Sequence, residues 1–98
     1  MDMHIYYFWY FLIGGFLGNG VPHFIWGLSR TIARSPFAQK SKPIVNIRWG
    51  LANFIAATVL SVWQISVNNI SGGAIIALLV GFWLIVGQFG LGIKRFIN

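Results

Sequence analysis

Three long apolar stretches, at about residues 5–28, 44–67 and 74–95, occupy most of this chain of 98 residues. A helix needs about 20 apolar residues to cross the hydrocarbon core of a bilayer, and each stretch is long enough. Charged residues make up only 8% of the chain and hydrophobic residues 57%, whereas a soluble domain carries about 25% charged residues. We therefore predict an all-α integral membrane protein with three transmembrane helices, forming one domain over residues 1–98.

Two polar segments separate the apolar stretches and decide the predicted orientation. The loop at residues 29–43 carries cations and no acid, whereas the turn at residues 68–73 carries no charge. Because short loops rich in lysine and arginine stay in the cytoplasm, we predict that this basic loop and the C-terminus are cytoplasmic. The turn and the N-terminus are then outside. The cations expected at lipid headgroups are Arg30, Arg34, Lys40, Lys42, Arg48, Lys94 and Arg95.

The titratable residues exclude most kinds of catalysis by the chain alone. It has a single acid, Asp2, and no cysteine, so paired carboxylates, disulfides and thiolate metal sites are absent. The net charge of +6 would suggest nucleic acid as a partner for a soluble protein. Here the cations flank apolar helices, and we attribute them to topology and to anionic lipids. We predict no enzyme activity, no metal site and no nucleic-acid partner.

Small and polar residues predict which helix faces pack together, because helices in lipid associate through close backbone contact and shared hydrogen bonds. At about 100° per residue, such residues form one stripe on each helix. On the third helix the stripe passes through Leu84 and Gln88, and Phe82 is expected to face lipid. On the second helix the stripe contains Asn46, Trp49, Gly50, Asn53, Ala57, Ser61, Gln64 and Asn68. The predicted helix-packing residues are Gly15, Gly18, Pro22, Gly50, Ala57, Ala77 and Gly81.

Polar side chains on these stripes share one depth in the predicted membrane. His23 lies about 10 Å before Arg30 along its helix, and Gln88 lies about 9 Å before Lys94. Asn53 is at a similar level, and Asn19 is one turn deeper. These four residues could form an interhelical polar layer that stabilises the bundle. They could equally form a ligand site, because ionisable groups within a bilayer are usually functional.

Three motifs in the first 55 residues or so resemble a group of short bacterial membrane proteins of unknown function. The motifs are the run from Gly18 to Phe24, the loop segment Arg34 to Ala38, and the run from Val45 to Asn53, in the pattern GNxxPHFxxG, SPFA and VNxxWGxxN. The resemblance implies a bacterial origin and three membrane spans, but no activity. It also groups Asn19, Pro22, His23, Asn46, Trp49 and Asn53 as a unit.

Three functional hypotheses follow from these patterns. The first is a non-catalytic accessory or assembly subunit, which packs against larger proteins in the bacterial inner membrane. The second is a homo-oligomeric channel or transporter that uses a layer of His23, Asn53 and Gln88. The third is a haem-binding or chlorophyll-binding subunit with His23 as the ligand. A bis-histidine haem would take its second histidine from another copy or from a partner, whereas a pigment site could use His23 alone.

Overall fold

The computed structural model describes residues 3–97 and contains three long helices. These are α1 (Met3–Leu28), α2 (Pro43–Val67) and α3 (Gly72–Leu91). All three are long and apolar enough to span a membrane. The described chain is 44 Å long, which is comparable to a bilayer of about 40–45 Å including its headgroups.

The segment between α1 and α2 differs from the expected irregular loop. It contains two short antiparallel strands, β1 (Ala33–Ser35) and β2 (Ala38–Ser41). The hydroxyls of Ser35 and Ser41 are hydrogen-bonded at 2.6 Å, and the backbone N–H of Phe37 donates to Ser35 Oγ at 3.1 Å. The hairpin therefore forms around buried serines, and so short a strand pair leaves little periodic signal in the sequence.

The third helix ends earlier than the sequence predicted. α3 stops at Leu91, and a separate 3-10 turn covers Ile93–Arg95. At the junction, the backbone N–H of Gly92 still donates to the carbonyl of Gln88 at 2.9 Å. The chain then turns back toward the hairpin, where the N–H of Arg34 donates to the carbonyl of Phe96 at 2.8 Å. This bond brings the two cation-bearing segments to one end of the molecule, which we call the basic end.

Both α2 and α3 pack against α1 and make few contacts with each other. Glycines allow the close approach on both sides. A Cβ atom built on Gly18 would lie 2.6 Å from the Phe82 carbonyl oxygen of α3, and one built on Gly50 would lie 2.9 Å from the Gly20 carbonyl oxygen of α1. A Cβ on Gly81 would overlap the Phe11 carbonyl. Any larger residue at these positions would therefore push the helices apart.

The predicted packing residues lie at these contacts to different degrees. Gly18, Gly50, Ala57 and Gly81 are buried, whereas Gly15, Pro22 and Ala77 are half-buried. Helix α1 continues through Pro22. The tightest contact with α3 is at Gly14, where a Cβ atom would overlap the Leu78 carbonyl.

The packing stripe predicted for α3 is wrong in its second half. Leu84 is 60% exposed and Gln88 is also exposed. The backbone of Phe82, which was expected on the outer side, lies against Gly18, and Ile85 and Phe89 continue the side that packs on α1. Small residues mark only the points of closest approach. Beyond Gly81 the bulky side chains of Ile85 and Phe89 pack on the α1 side instead. These contact positions are four residues apart.

Candidate functional site

A buried hydrogen-bond chain near the basic end joins α1, α2 and the hairpin. His23 is 3% exposed and Asn46 is 0% exposed, and His23 Nδ1 lies 2.5 Å from Asn46 Oδ1. Asn46 Nδ2 donates to the Ala33 carbonyl at 3.0 Å. Because that carbonyl can only accept, the amide is oriented with its oxygen toward the imidazole. His23 Nδ1 therefore carries the hydrogen and donates it to Asn46.

A second polar pair lies one turn deeper between the same two helices. Asn19 Nδ2 donates to Asn53 Oδ1 at 3.0 Å, and Asn53 Nδ2 donates to the Trp49 carbonyl at 2.8 Å. The second bond stays within α2 and fixes the orientation of the Asn53 amide. The two asparagines thus add a second hydrogen-bonded contact between α1 and α2.

Aromatic rings enclose His23 on the side away from Asn46. The centroid of its ring lies 5.2 Å from that of Trp26 and 5.3 Å from that of Phe89, both edge to face. Phe96 stacks on Trp26 at 6.0 Å and tilts against Phe89 at 4.6 Å. The end of α3 and the C-terminal segment are thereby packed over the histidine.

The predicted polar layer is only partly assembled within one chain. Asn19, His23 and Asn53 lie together, but Gln88 is exposed, and the next residue, Phe89, takes the place near His23. Asn46 supplies the partner that was expected from Gln88. Its position on the small and polar face of helix 2 was visible in the sequence, but its pairing depended on the fold of the basic loop.

A cleft of about 380 Å³ opens beside His23 at the basic end. Two arginines from different segments line it, Arg34 of β1 and Arg95 of the 3-10 turn. Their segments are held together by the backbone bond from Arg34 to Phe96. We call this cavity the basic cleft; it is lined by Asn19, His23, Arg34, Ser35, Pro36, Trp49, Phe89, Arg95 and Phe96.

A second cavity of about 300 Å³ lies deeper, on the surface of α1. Its lining is almost entirely apolar, and it shares Asn19 and Trp49 with the basic cleft. It lies between α2 on one side and Ile85 of α3 on the other, where these two helices diverge. We call it the apolar groove; it is lined by Phe11, Leu12, Gly15, Phe16, Asn19, Trp49, Asn53 and Ile85.

The remaining predicted headgroup cations lie around the basic end without lining the cleft. All of them are exposed, as are Arg34 and Arg95 themselves; they are Arg30, Lys40, Lys42, Arg48 and Lys94. The single acid of the chain is Asp2, which lies outside the described residues. Among residues 3–97 no carboxylate side chain is therefore present to neutralise Arg34 or Arg95.

The described residues contain no group of three or more histidine, cysteine or acidic side chains that could hold a metal ion. Ligation of haem or chlorophyll by His23 stays a prediction. No family model, curated protein or solved structure matches the chain.

Proposed function

We propose that this chain is a non-catalytic accessory subunit, which packs against larger proteins of a bacterial inner membrane. The observation that carries the proposal is the use of the polar side chains within the helices. His23 and Asn46 bond each other and the hairpin, and Asn19 and Asn53 bond each other. These groups join the elements of the fold, so the surface that remains for function is the outside of the bundle.

The outer face of α3 is the surface best suited to a partner helix. At about 100° per residue, Ile76, Val80, Trp83 and Gly87 lie opposite the side that packs on α1. The first three are exposed, and a Cβ atom built on Gly87 or Gly90 would meet nothing within 4 Å. Small residues allow the backbones of two membrane helices to approach closely. An outward glycine between bulky residues therefore suits contact with another helix better than contact with lipid.

Purification of the tagged full chain from its native membrane in a mild detergent tests the proposal. We expect larger membrane proteins to copurify at a fixed ratio, and Gly87→Leu to release them. The substitution meets open space in the chain itself, so the bundle should still fold. Gly72→Leu is the matched control, because its Cβ also meets open space but lies at the start of α3.

Two results would overturn the proposal. One is a chain that runs alone as a monomer in every mild detergent that keeps it helical. The other is a set of copurifying proteins that Gly72→Leu and Gly87→Leu release equally, because this would separate the association from the outer face of α3.

A further inference from the structure

We propose that the basic cleft and the apolar groove together form a binding site for one anionic phospholipid. The phosphate would lie between Arg34 and Arg95, and an acyl chain would run along α1 in the apolar groove. This site is on a different surface from the outer face of α3. The lipid site can therefore be tested independently of the proposed accessory function.

The charge of the cleft selects an anion. Two arginines line one cavity, and residues 3–97 offer no carboxylate side chain to pair with them. Arginine binds phosphate through paired, charge-assisted hydrogen bonds. The arginines come from segments more than fifty residues apart in the chain, and the bond between Arg34 and Phe96 holds both at the same cavity.

The position of the cleft matches the headgroup region of a bilayer. It lies at the ends of helices that are long and apolar enough to span a membrane. The groove then continues along α1 from Asn19 to Phe11, which is about 12 Å of helix. Leu28, the last residue of α1, lies about 14 Å along the helix from Asn19, and half the hydrocarbon thickness of a bilayer is about 15 Å. An acyl chain whose headgroup lies in the cleft would therefore reach the groove near the middle of the bilayer.

Trp49 lies at the junction and lines both cavities. Its Nε1–H is buried and has no hydrogen-bond partner in the described part of the chain. A buried donor without a partner is unfavourable. The part of a bound lipid between its phosphate and its acyl chain would pass this junction, and a small shift of the ring would let an ester oxygen accept this hydrogen.

The two cavities adjoin at Asn19 and Trp49, and this arrangement favours a phospholipid over other anions. A free phosphate would occupy only the basic cleft and leave the apolar groove without an occupant. A phospholipid has the anionic head and the apolar tail in the order in which the cavities occur along α1. We therefore assign the site to a lipid headgroup and its acyl chain.

Native mass spectrometry of the purified full chain tests this site with defined probes. The protein, in a neutral detergent, is mixed with equimolar dioleoyl phosphatidylglycerol and dioleoyl phosphatidylcholine, and the same mixture is measured again with inorganic phosphate added as a competitor. We expect one phosphatidylglycerol per chain, with a preference of about tenfold over phosphatidylcholine, since arginine pairs strongly with an exposed phosphate. The phosphatidylcholine arm shares the acyl chains and controls for the groove.

Two variants separate the roles of the cleft and the groove. Arg34→Gln with Arg95→Gln should abolish the preference, whereas Lys40→Gln with Lys42→Gln removes the same charge outside the cleft and should retain it. Gly15→Leu fills the groove, where an added Cβ would meet only Ile85 at 3.8 Å. It should weaken phosphatidylglycerol binding about tenfold, as expected when a buried apolar contact of this size is lost.

The assignment is wrong if the two double variants lose the preference equally, because the attraction is then diffuse. It is also wrong if inorganic phosphate displaces phosphatidylglycerol and Gly15→Leu has no effect, because the site then binds a free anion. Circular dichroism checks that each variant keeps its helices. If the arginine double variant unfolds, Gly15→Leu and the phosphate competition still decide the question.

Discussion

The bond chain from His23 through Asn46 to Ala33 should be the main polar determinant of stability. Asn46→Ala removes two hydrogen bonds, at 2.5 Å and 3.0 Å, and leaves the His23 Nδ1–H and the Ala33 carbonyl buried without that partner. A single interhelical hydrogen bond contributes only about 0.6 kcal/mol on average. Each buried group left without a partner costs about 1–3 kcal/mol more. With two bonds lost and two groups left without that partner, we expect a total loss of about 3–7 kcal/mol in the free energy of unfolding.

Unfolding of the purified protein in mixed micelles by increasing sodium dodecyl sulfate, followed by circular dichroism, measures this loss. Thr58→Ala is the control, because the exposed Thr58 hydroxyl bonds only to the Phe54 carbonyl of its own helix. It should change the free energy by less than about 0.5 kcal/mol. A double-mutant cycle with His23→Ala should give a coupling of about 0.5–3 kcal/mol. If Asn46→Ala matches Thr58→Ala, or if the cycle shows no coupling, this account of the bond chain is wrong.

Three further predictions concern packing, an unpaired amide and orientation. Gly50→Ala should destabilise the fold by about 1–3 kcal/mol, because the added Cβ would lie 2.8 Å from the Phe24 backbone nitrogen. Gly72→Ala should leave the stability unchanged, because a Cβ there meets open space. Equal melting temperatures of the two variants would refute the close contact at Gly50. Gln64 is 0% exposed, and neither amide atom has a described partner. Gln64→Leu should therefore raise the free energy of unfolding by about 1–3 kcal/mol; a decrease would show that the amide is bonded. A cysteine replacing Lys40 should resist a membrane-impermeant thiol reagent in intact cells, whereas one replacing Ile70 should react; the reverse pattern would invert the predicted orientation.

The sequence indicated the buried face of α2 well. Asn46, Gly50, Asn53, Ala57 and Gln64 are buried, and all lie on the stripe that small and polar residues predicted. The amide side chains and the glycine of this helix all lie on one side, so helical periodicity alone identifies the contact. On α3 the polar and small residues are more dispersed, and the same reasoning placed Gln88 inward and Phe82 outward.

By itself, the sequence determined the three apolar helices, because the length and apolarity of a segment decide whether it can span a membrane. It also indicated the close approach at Gly18, Gly50 and Gly81, because only the absence of a side chain permits backbones to meet, but Gly15 lines the apolar groove and the tightest contact is at Gly14. The pairing of His23 with Asn46, and the meeting of Arg34 with Arg95, were decided by the tertiary structure. Both depend on a short hairpin and a turned C-terminal segment, whose positions arise from long-range hydrogen bonds and aromatic packing that no local pattern encodes.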